Sequence, residues 1–407
     1  MVSSQPIKNI AEFKEKIEES LNLSKNTSEV LEIILRGTID LEASDLHFEP
    51  QKEKTKIRVR IDGLLQEVLS IDKKSAEALI GRIKLLAKLK LNTANRPQDG
   101  RFSIVSPDGL AIEIRVSALP AENGETLVLR ILNPKALIEV EELGLPDDSL
   151  AILKKEFKKP NGMIIVTGPT GSGKTTTLYA FLKRIQTTEI KIITIEDPIE
   201  YHLKDVSQTQ VKEGYDFASG LKSIMRQDPD VILVGEIRDL ETVQTALQAA
   251  LTGHLVLTTL HTNDATGTVA RLIALGAAPS NIGPAVNLVV AQRLVRKVCP
   301  KCRLLRKLTA QELSLLKAEL KKVPQNIKIP QAKGCAFCNF TGYKGRIGIF
   351  EILLIDDEIE KLILVNPAMA ALRDLAVKRG MVTLKQDGLR KVLKGLTTLE
   401  EVERVVG

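Results

Sequence analysis

Residues 168–176 of this chain, GPTGSGKTT, have types and spacing suited to phosphate chemistry. Gly168, Gly173, Lys174 and Thr175 fit the pattern Gly-x-x-x-x-Gly-Lys-Ser/Thr. The stretch follows an apolar run, MIIVT, and opens into TTTLYAFLKRI, which reads as a helix. Glycines let such a loop fold so that backbone N–H groups converge on phosphate oxygens, and the helix N-terminus adds partial positive charge. The expected nucleotide loop is therefore Gly168, Pro169, Thr170, Gly171, Ser172, Gly173, Lys174, Thr175 and Thr176. Lys174 is expected to reach the β- and γ-phosphates of ATP, and the Thr175 hydroxyl to ligate Mg²⁺.

Hydrolysis needs a carboxylate as well. VILVGEIRD is an apolar strand ending at Glu236. A carboxylate at the C-terminal end of such a strand faces the crevice where ligands bind in α/β sheets. Glu236 is the candidate to polarise an attacking water. Strands of this kind usually carry Asp just before that Glu, where this chain has Gly235. Mg²⁺ is then held through water by Glu236 or by other acids. TIEDPIEY supplies Glu196, Asp197 and Glu200 at another strand end. Each of these, taken singly, also reads as a helix cap or a solvated loop charge.

Two histidines flank the strand in TGHLVLTTLHTND, residues 252–264. Their odd separation puts them on opposite faces of a regular strand. His261 falls at the same edge as Lys174 and Glu236, where it is expected to sense the γ-phosphate or to contact a neighbouring subunit. His254, at the strand's start, is expected to be structural, or to reach a site only through a bend.

The four cysteines form two pairs, Cys299-x2-Cys302 and Cys335-x2-Cys338, with residues 303–334 between them. Two such knuckles place four thiolates tetrahedrally around Zn²⁺ and leave 303–334 as an inserted loop or a helical hairpin. A redox pair or an iron–sulfur cluster is the alternative. Nothing marks an open coordination position, so a zinc here is expected to be structural.

These residues need elements to position them. MIIVTG (163–168), KIITIED (191–197), VILVGE (231–236) and HLVLTTLH (254–261) are near-continuous apolar runs, alternating with helical stretches such as 175–186 and 240–251. That pattern implies a parallel sheet covered on both faces. Upstream, Ile10, Phe13, Ile17 and Leu21 line one face of a helix over 10–21, and Ser24 to Asn26 form a polar break. A helix over 28–41, strands at 56–62, 111–117 and 125–132, and a cationic amphipathic helix at 74–91 describe a small α+β domain. The expected organisation is an amphipathic segment 1–24, a small domain 25–133, a linker 134–159 and a larger domain 160–407. The larger domain includes the tetracysteine element 299–338 and C-terminal helices.

Composition fits two or three soluble domains in 407 residues, 43% hydrophobic and 27% charged. A net charge of +7 mildly favours a polyanionic partner, but the basic residues are spread among acids. Aromatic content of 3% with no Trp argues against a single-strand nucleic-acid platform, which needs stacking rings. The N-terminus has no apolar core of signal-peptide length, and no run of 18 apolar residues occurs.

Taken together, ASDLHFEP (43–50), RVRIDG (58–63), RPQDGRF (96–102), GPTGSGKTTTLY (168–179), IEDPIE (195–200), RQDPDVILVGEIRD (226–239), TGHLVLTTLHTNDA (252–265) and GCAFCNFTGYKGRIGIFEIL (334–353) resemble the ATPases of type II secretion and type IV pilus assembly. The resemblance covers about residues 25–407. It implies an α/β fold: a RecA-like P-loop motor domain, a smaller N-terminal PAS-like α+β domain and a zinc-knuckle insertion. It further implies a homohexameric ring, with nucleotide between the two domains. The function implied is ATP hydrolysis that drives pilin or pseudopilin extrusion through an inner-membrane platform protein. The location implied is cytoplasmic and peripheral at the inner membrane, with no nucleic-acid partner.

The family's acidic box falls on Glu196, Asp197 and Glu200, its Walker B glutamate on Glu236, and its histidine box on His254 and His261. This adds His254 to the nucleotide-binding set and makes Gly235 the family's own form. Family arginines that meet the phosphates from the small domain fall on Arg101 in QDGR and Arg115 in IRVS. Such arginines stabilise transition-state charge on ring closure. The paired CxxC element favours assembly or export over retraction. About 25 residues precede the small domain, which puts docking through an extra N-terminal domain and cyclic-dinucleotide regulation in doubt. The rival expectations are a nucleic-acid translocase and a nucleotide-gated adaptor without useful turnover.

Overall fold

The computed structural model describes residues 6–23, 26–106, 108–320, 322–365 and 368–407. The first five residues and most of the polar break expected at 24–26 lie outside the described residues. The chain divides into two compact units.

Unit one comprises Met1–Ala136, Cys299–Leu304 and Ala332–Gly345. It opens with α1 (Ile10–Asn22), capped by the Asn9 side chain, which accepts from Glu12 N at 2.9 Å. Phe13 and Ile17 are fully buried against α2 (Thr27–Asp40) and the sheet. Gly37 makes this possible, because a Cβ there would lie 2.2 Å from the Phe13 ring. The amphipathic α1 is thus a core element of this unit.

The strands are β1 (Asp45–Pro50), β2 (Lys54–Ile61) and β3 (Leu64–Asp72), then, after α3 (Lys73–Leu86), β4 (Gln98–Val105), β5 (Ala111–Ala121) and β6 (Gly124–Leu132). They form an antiparallel sheet in the order β3-β2-β1-β6-β5-β4. Alternation along β2 buries Ile57, Val59 and Ile61 and turns Lys56, Arg58 and Arg60 outward. The strands expected at 56–62, 111–117 and 125–132 are present, and β1, β3 and β4 join them. Helix α3 ends before the expected residue 91, because Lys88 takes a left-handed φ of 57°. The chain then turns back over Lys84, whose buried ammonium donates to Glu125 (2.9 Å to each oxygen) and to the Thr93 carbonyl (3.0 Å). Burying that cation is tolerable only because it is paired and bonded this fully.

Unit two comprises Leu137–Val298, Leu305–Gln331 and Arg346–Gly407. In chain order it contains α4 (Asp147–Glu156), β7 (Gly162–Thr167), α5 (Lys174–Ile185), β8 (Ile192–Glu196), β9 (Ser207–Gln210), α6 (Phe217–Ile224), β10 (Val231–Val234) and α7 (Leu240–Leu251). There follow β11 (Leu255–Leu260), α8 (Ala265–Ala274), α9 (Pro279–Ala285) and β12 (Val286–Val298). The segment between the cysteine pairs supplies β13 (Leu304–Lys307), α10 (Ala310–Glu319) and β14 (Lys328–Gln331). It is therefore neither a plain loop nor a helical hairpin. The Thr309–Glu312 capping box starts one helix, and the flanking strands pair with each other. β15 (Tyr343–Leu354), α11 (Asp357–Leu364), α12 (Met369–Lys378), α13 (Leu384–Leu393) and α14 (Leu399–Val406) complete the chain.

The main sheet has the order β15-β12-β7-β11-β10-β8-β9. The pairs from β12 through β9 are parallel. Successive residues of β7 enter different cores, Met163 and Ile165 on one face and Ile164 and Val166 on the other. Both faces are covered by helices, which is why these strands read as unbroken apolar runs. Their C-terminal ends bring the loops after β7, β10 and β11 to one edge.

Candidate functional site

Between β7 and α5 the chain makes the glycine-rich loop. Gly168, Gly171 and Gly173 all have positive φ, of 153°, 78° and 88°. Two are also hemmed in. A Cβ on Gly168 would meet the Gln292 carbonyl at 2.5 Å and Ser172 Oγ at 2.6 Å, and one on Gly173 would meet Gln292 Nε2 at 2.9 Å. Side chains are therefore excluded at both positions. Gly173 is the N-cap of α5 and offers no side chain to the first-turn N–H groups. Those groups, from Lys174, Thr175 and Thr176, are left for a ligand or water. The Ser172 hydroxyl is buried without a partner among the described residues. Lys174 folds over the loop and donates to the carbonyls of Gly168 (2.9 Å) and Pro169 (3.2 Å). Burial lowers its pKa, Glu236 opposes that, and Arg293 adds to it. An anion set into this loop would meet N–H groups, a desolvated ammonium and the positive end of a helix.

Glu236 follows β10 and is mostly buried. One carboxylate oxygen pairs with Arg238 at 2.5 Å and the other lies 3.6 Å from His261 Nε2. Burial lowers the His261 pKa, Lys174 and Arg238 add to that, and Glu236 resists. The half-exposed ring is thus disposed toward its neutral form. The structure thus gathers Lys174, Glu236 and His261 within electrostatic reach at the loop edge. Gly235 has a steric reason to be glycine, since a Cβ there would lie 3.3 Å from the Glu196 Cα and from the Ile195 carbonyl.

The three acids after β8 occupy different settings. Glu196 is buried, and its carboxylate accepts from Tyr179, from Thr194 Oγ1 (2.6 Å) and from Gln208 Nε2 (3.1 Å). Asp197 is exposed and Glu200 is half-buried. The Tyr179 hydroxyl also accepts from Glu200 N at 3.3 Å. Burial and the Glu196 charge push this phenol well above its ordinary pKa. Tyr179, not singled out by sequence, ties the acidic segment to α5.

His254 stands at the opposite end of β11 from His261, with Nδ1 3.0 Å from the Ala249 carbonyl. The structure does not bring it to the loop edge. Arg101 and Arg115 belong to unit one, where they are cross-strand partners on β4 and β5. They share Glu113, at 3.9 and 3.5 Å, with Arg101 exposed and Arg115 largely covered.

Two residues beneath the loop were also missed by sequence. Gln292 of β12 is buried and its Oε1 accepts from Thr177 Oγ1 at 2.7 Å. Beside it Arg293 donates to the Gln292 carbonyl (3.1 Å) and the Asn263 carbonyl (2.8 Å). A polar pair inside an otherwise apolar run, LVVAQRLV, was the available signal.

The four cysteines converge, with all sulfurs within 4.8 Å of one another. Neighbouring sulfurs are 3.8 to 4.0 Å apart. A tetrahedral tetrathiolate with Zn–S bonds of about 2.3 Å requires separations of roughly 3.8 Å. Backbone N–H groups of Gly334, Cys335 and Gly342 point at the sulfurs of Cys302 and Cys338 at 3.2 to 3.3 Å. Four converging thiols with N–H···S bonds and no other ligand type suit zinc.

Two solved structures share this fold. The chain is similar to the ATPase DotB of Legionella pneumophila, with TM-score 0.68, 22% identity and coverage of 92% of this chain and 94% of that one. It is also similar to the pilus retraction motor PilT with bound ADP, with TM-score 0.63, 30% identity and coverage of 92% and 96%. The model of the "Type II/IV secretion system protein" family matches residues 22–404, and the chain belongs to that family. Similar relatives include type II secretion system protein E of Pectobacterium carotovorum, 45% identical over 92% of this chain and 75% of that protein. Another is the type IV pilus assembly ATPase TfpB of Acinetobacter baylyi, 45% identical over 92% of this chain and 64% of that protein. No helix among the described residues is long and apolar enough to cross a membrane.

Proposed function

We propose that this chain is an ATP-hydrolysing motor, acting as a cytoplasmic homohexamer that powers type IV pilus assembly or type II secretion. It would push pilin-like subunits through an inner-membrane platform protein and attach to the membrane only peripherally. The observation that carries this reading is the set at the loop edge: Lys174 bonded to loop carbonyls, with Glu236 and His261 3.6 Å apart at the same edge. The strand order β12-β7-β11-β10-β8 supports a RecA-like motor for unit two. The antiparallel sheet with α2 and α3 supports a PAS-like small domain for unit one.

In this reading ATP enters the loop, and Lys174 exchanges its carbonyl partners for β- and γ-phosphate oxygens. The N–H groups of Lys174, Thr175 and Thr176 hold the remaining oxygens. The Thr175 hydroxyl would hold Mg²⁺, which would supply charge neutralisation between the phosphates. Asp197 and Glu200 are the acids placed to help through water, while Glu196 keeps their segment in position. Glu236 takes a proton from the water that attacks the γ-phosphorus, and the bond to the β-γ bridging oxygen breaks. His261, 3.6 Å from Glu236, reports whether the γ-phosphate is present. Arg101 and Arg115 are proposed to reach the phosphates as the ring closes. His254 orients the start of β11 rather than touching nucleotide. Cys299, Cys302, Cys335 and Cys338 would hold a structural zinc.

Native mass spectrometry with Mg²⁺ and a non-hydrolysable ATP analogue, run beside a phosphate-release assay, tests this. A six-chain species and magnesium-dependent release are expected. Monomer alone, or binding without turnover, would reject the motor, and turnover that rises with DNA at low salt would favour a translocase instead.

A further inference from the structure

The glycine-rich loop is flanked by a second cation whose position is hard to explain by packing. Arg293 is partly buried on β12, where burial lowers its pKa. Comparable arginines of the same unit are paired: Arg296 with Glu401 and Arg306 with Glu312, both at 2.6 Å. Arg293 differs. Among the described residues its bonds go to neutral oxygens, the Gln292 carbonyl at 3.1 Å, the Asn263 carbonyl at 2.8 Å and Asn263 Oδ1 at 3.4 Å. Asp264 and Glu351 are near enough for their charge to be felt. Both are already engaged, Asp264 in capping α8 and Glu351 in accepting from Ala265 N.

The guanidinium also lies beside the loop. The Gln292 carbonyl to which it donates is the atom that abuts Gly168. Its charge reaches Lys174. Two partly desolvated cations thus flank the loop, one on the carbonyls of Gly168 and Pro169 and the other on the Gln292 carbonyl that abuts Gly168. Glu236, Asp264 and Glu351 compensate these charges only in part, being engaged with Arg238, the start of α8 and Ala265 N, and a buried charge costs free energy until a counter-charge compensates it. A guanidinium has five donors, and three contacts to oxygens of two residues leave some of them available. A polyphosphate in the loop would compensate both cations at once.

We propose that Arg293 is a second phosphate-binding cation of this loop, supplied by the same chain as Lys174. It also links the segment after His261, through Asn263, to the strand beneath the loop, through Gln292. Phosphate arriving at Arg293 would therefore be felt at Asn263 and at the neighbouring His261. The inference rests on the proposed nucleotide site and names a further residue of it.

The test is equilibrium titration of the full chain with fluorescent ADP, a β,γ-imido ATP analogue and AMP, using wild type, Arg293→Met and Arg293→Lys. Met keeps the bulk without the charge, whereas Lys keeps a charge without the fork. For Arg293→Met, affinity for ADP and the ATP analogue is expected to fall about tenfold, as for loss of one charge-assisted bond, with AMP binding changed less than about twofold. Arg293→Lys should recover most of that loss, and raised salt should narrow the gap between wild type and Met. Met binding all three ligands as wild type does would overturn the proposal. Met and Lys losing all three equally, with a lower melting temperature, would also overturn it and leave Arg293 a structural tie. If wild type binds no nucleotide, the proposed function itself falls, a result distinct from either.

Discussion

Glu236 has one oxygen on Arg238 and the other toward His261, so its readiness as a base depends on both neighbours. The histidine gives the clearest handle. Its native pKa lies below the ordinary 6.5, chiefly through burial. Between that ordinary value and the lowered native one, the unfolded chain takes up a proton that the native chain refuses. Stability must therefore fall as pH drops through that window, and it is unaffected above it. Thermal midpoints of wild type minus His261→Gln, measured from neutral pH downward, should show this loss beginning near pH 6.5. A flat difference curve would contradict an imidazole of lowered pKa at this half-exposed position. The residues themselves were legible because glycine, lysine and acid stood at strand ends in the sequence. Their environments were less so. Glu196, Asp197 and Glu200 look alike in a string, but only folding shows Glu196 closed off by Tyr179, Thr194 and Gln208.

At the level of elements, α5 does two jobs, carrying the loop at its start and pinning the acidic segment through Tyr179 one turn on. Tyr179→Phe removes the donor to a buried carboxylate and the acceptor for Glu200 N. Leaving such groups unmatched costs about 1–3 kcal/mol, so denaturant unfolding should shift by that much while the loop sequence stays intact. An unchanged midpoint would show that water replaces the hydroxyl freely. A second linkage joins the cysteine element to the N-terminal helix within unit one. Asn339 directly follows Cys338, and its side-chain oxygen accepts from Ile10 N, the first residue of α1, at 2.8 Å. Gly345 N donates to Asp62 at 2.8 Å nearby. Chelation should release about one zinc per chain and speed amide exchange in the first turn of α1. Asn339→Ala should speed the same exchange with the metal retained. Exchange in α1 insensitive to both changes would remove the linkage. The strands of the parallel sheet were readable because burial on both faces leaves unbroken apolar runs. β12 was not, since Gln292, Arg293 and Arg296 interrupt its pattern, and these are the residues that serve the loop and the Glu401 pair. β4 was missed because alternate residues along it are exposed, which lets polar side chains such as Arg101 and Ser103 dominate its sequence.

Over the whole molecule, the residues assigned to chemistry fall in both units. Unit two carries Lys174, Glu236 and His261, and unit one carries Arg101 and Arg115. If those arginines complete the site, Arg115→Ala should cut turnover by about a thousandfold, the lower end for a transition-state arginine, with little change in nucleotide binding. Equal losses in binding and turnover would instead mark Arg115 as part of the β5 surface around Glu113. The central claim is that this chain hydrolyses ATP with Glu236 as base. It is tested most directly by steady-state phosphate release from wild type and Glu236→Gln, each confirmed to be folded and to bind the ATP analogue. The account predicts magnesium-dependent release by wild type and a fall of about a hundredfold or more in the variant, with binding retained. A folded, nucleotide-binding Glu236→Gln that releases phosphate as fast as wild type would contradict it.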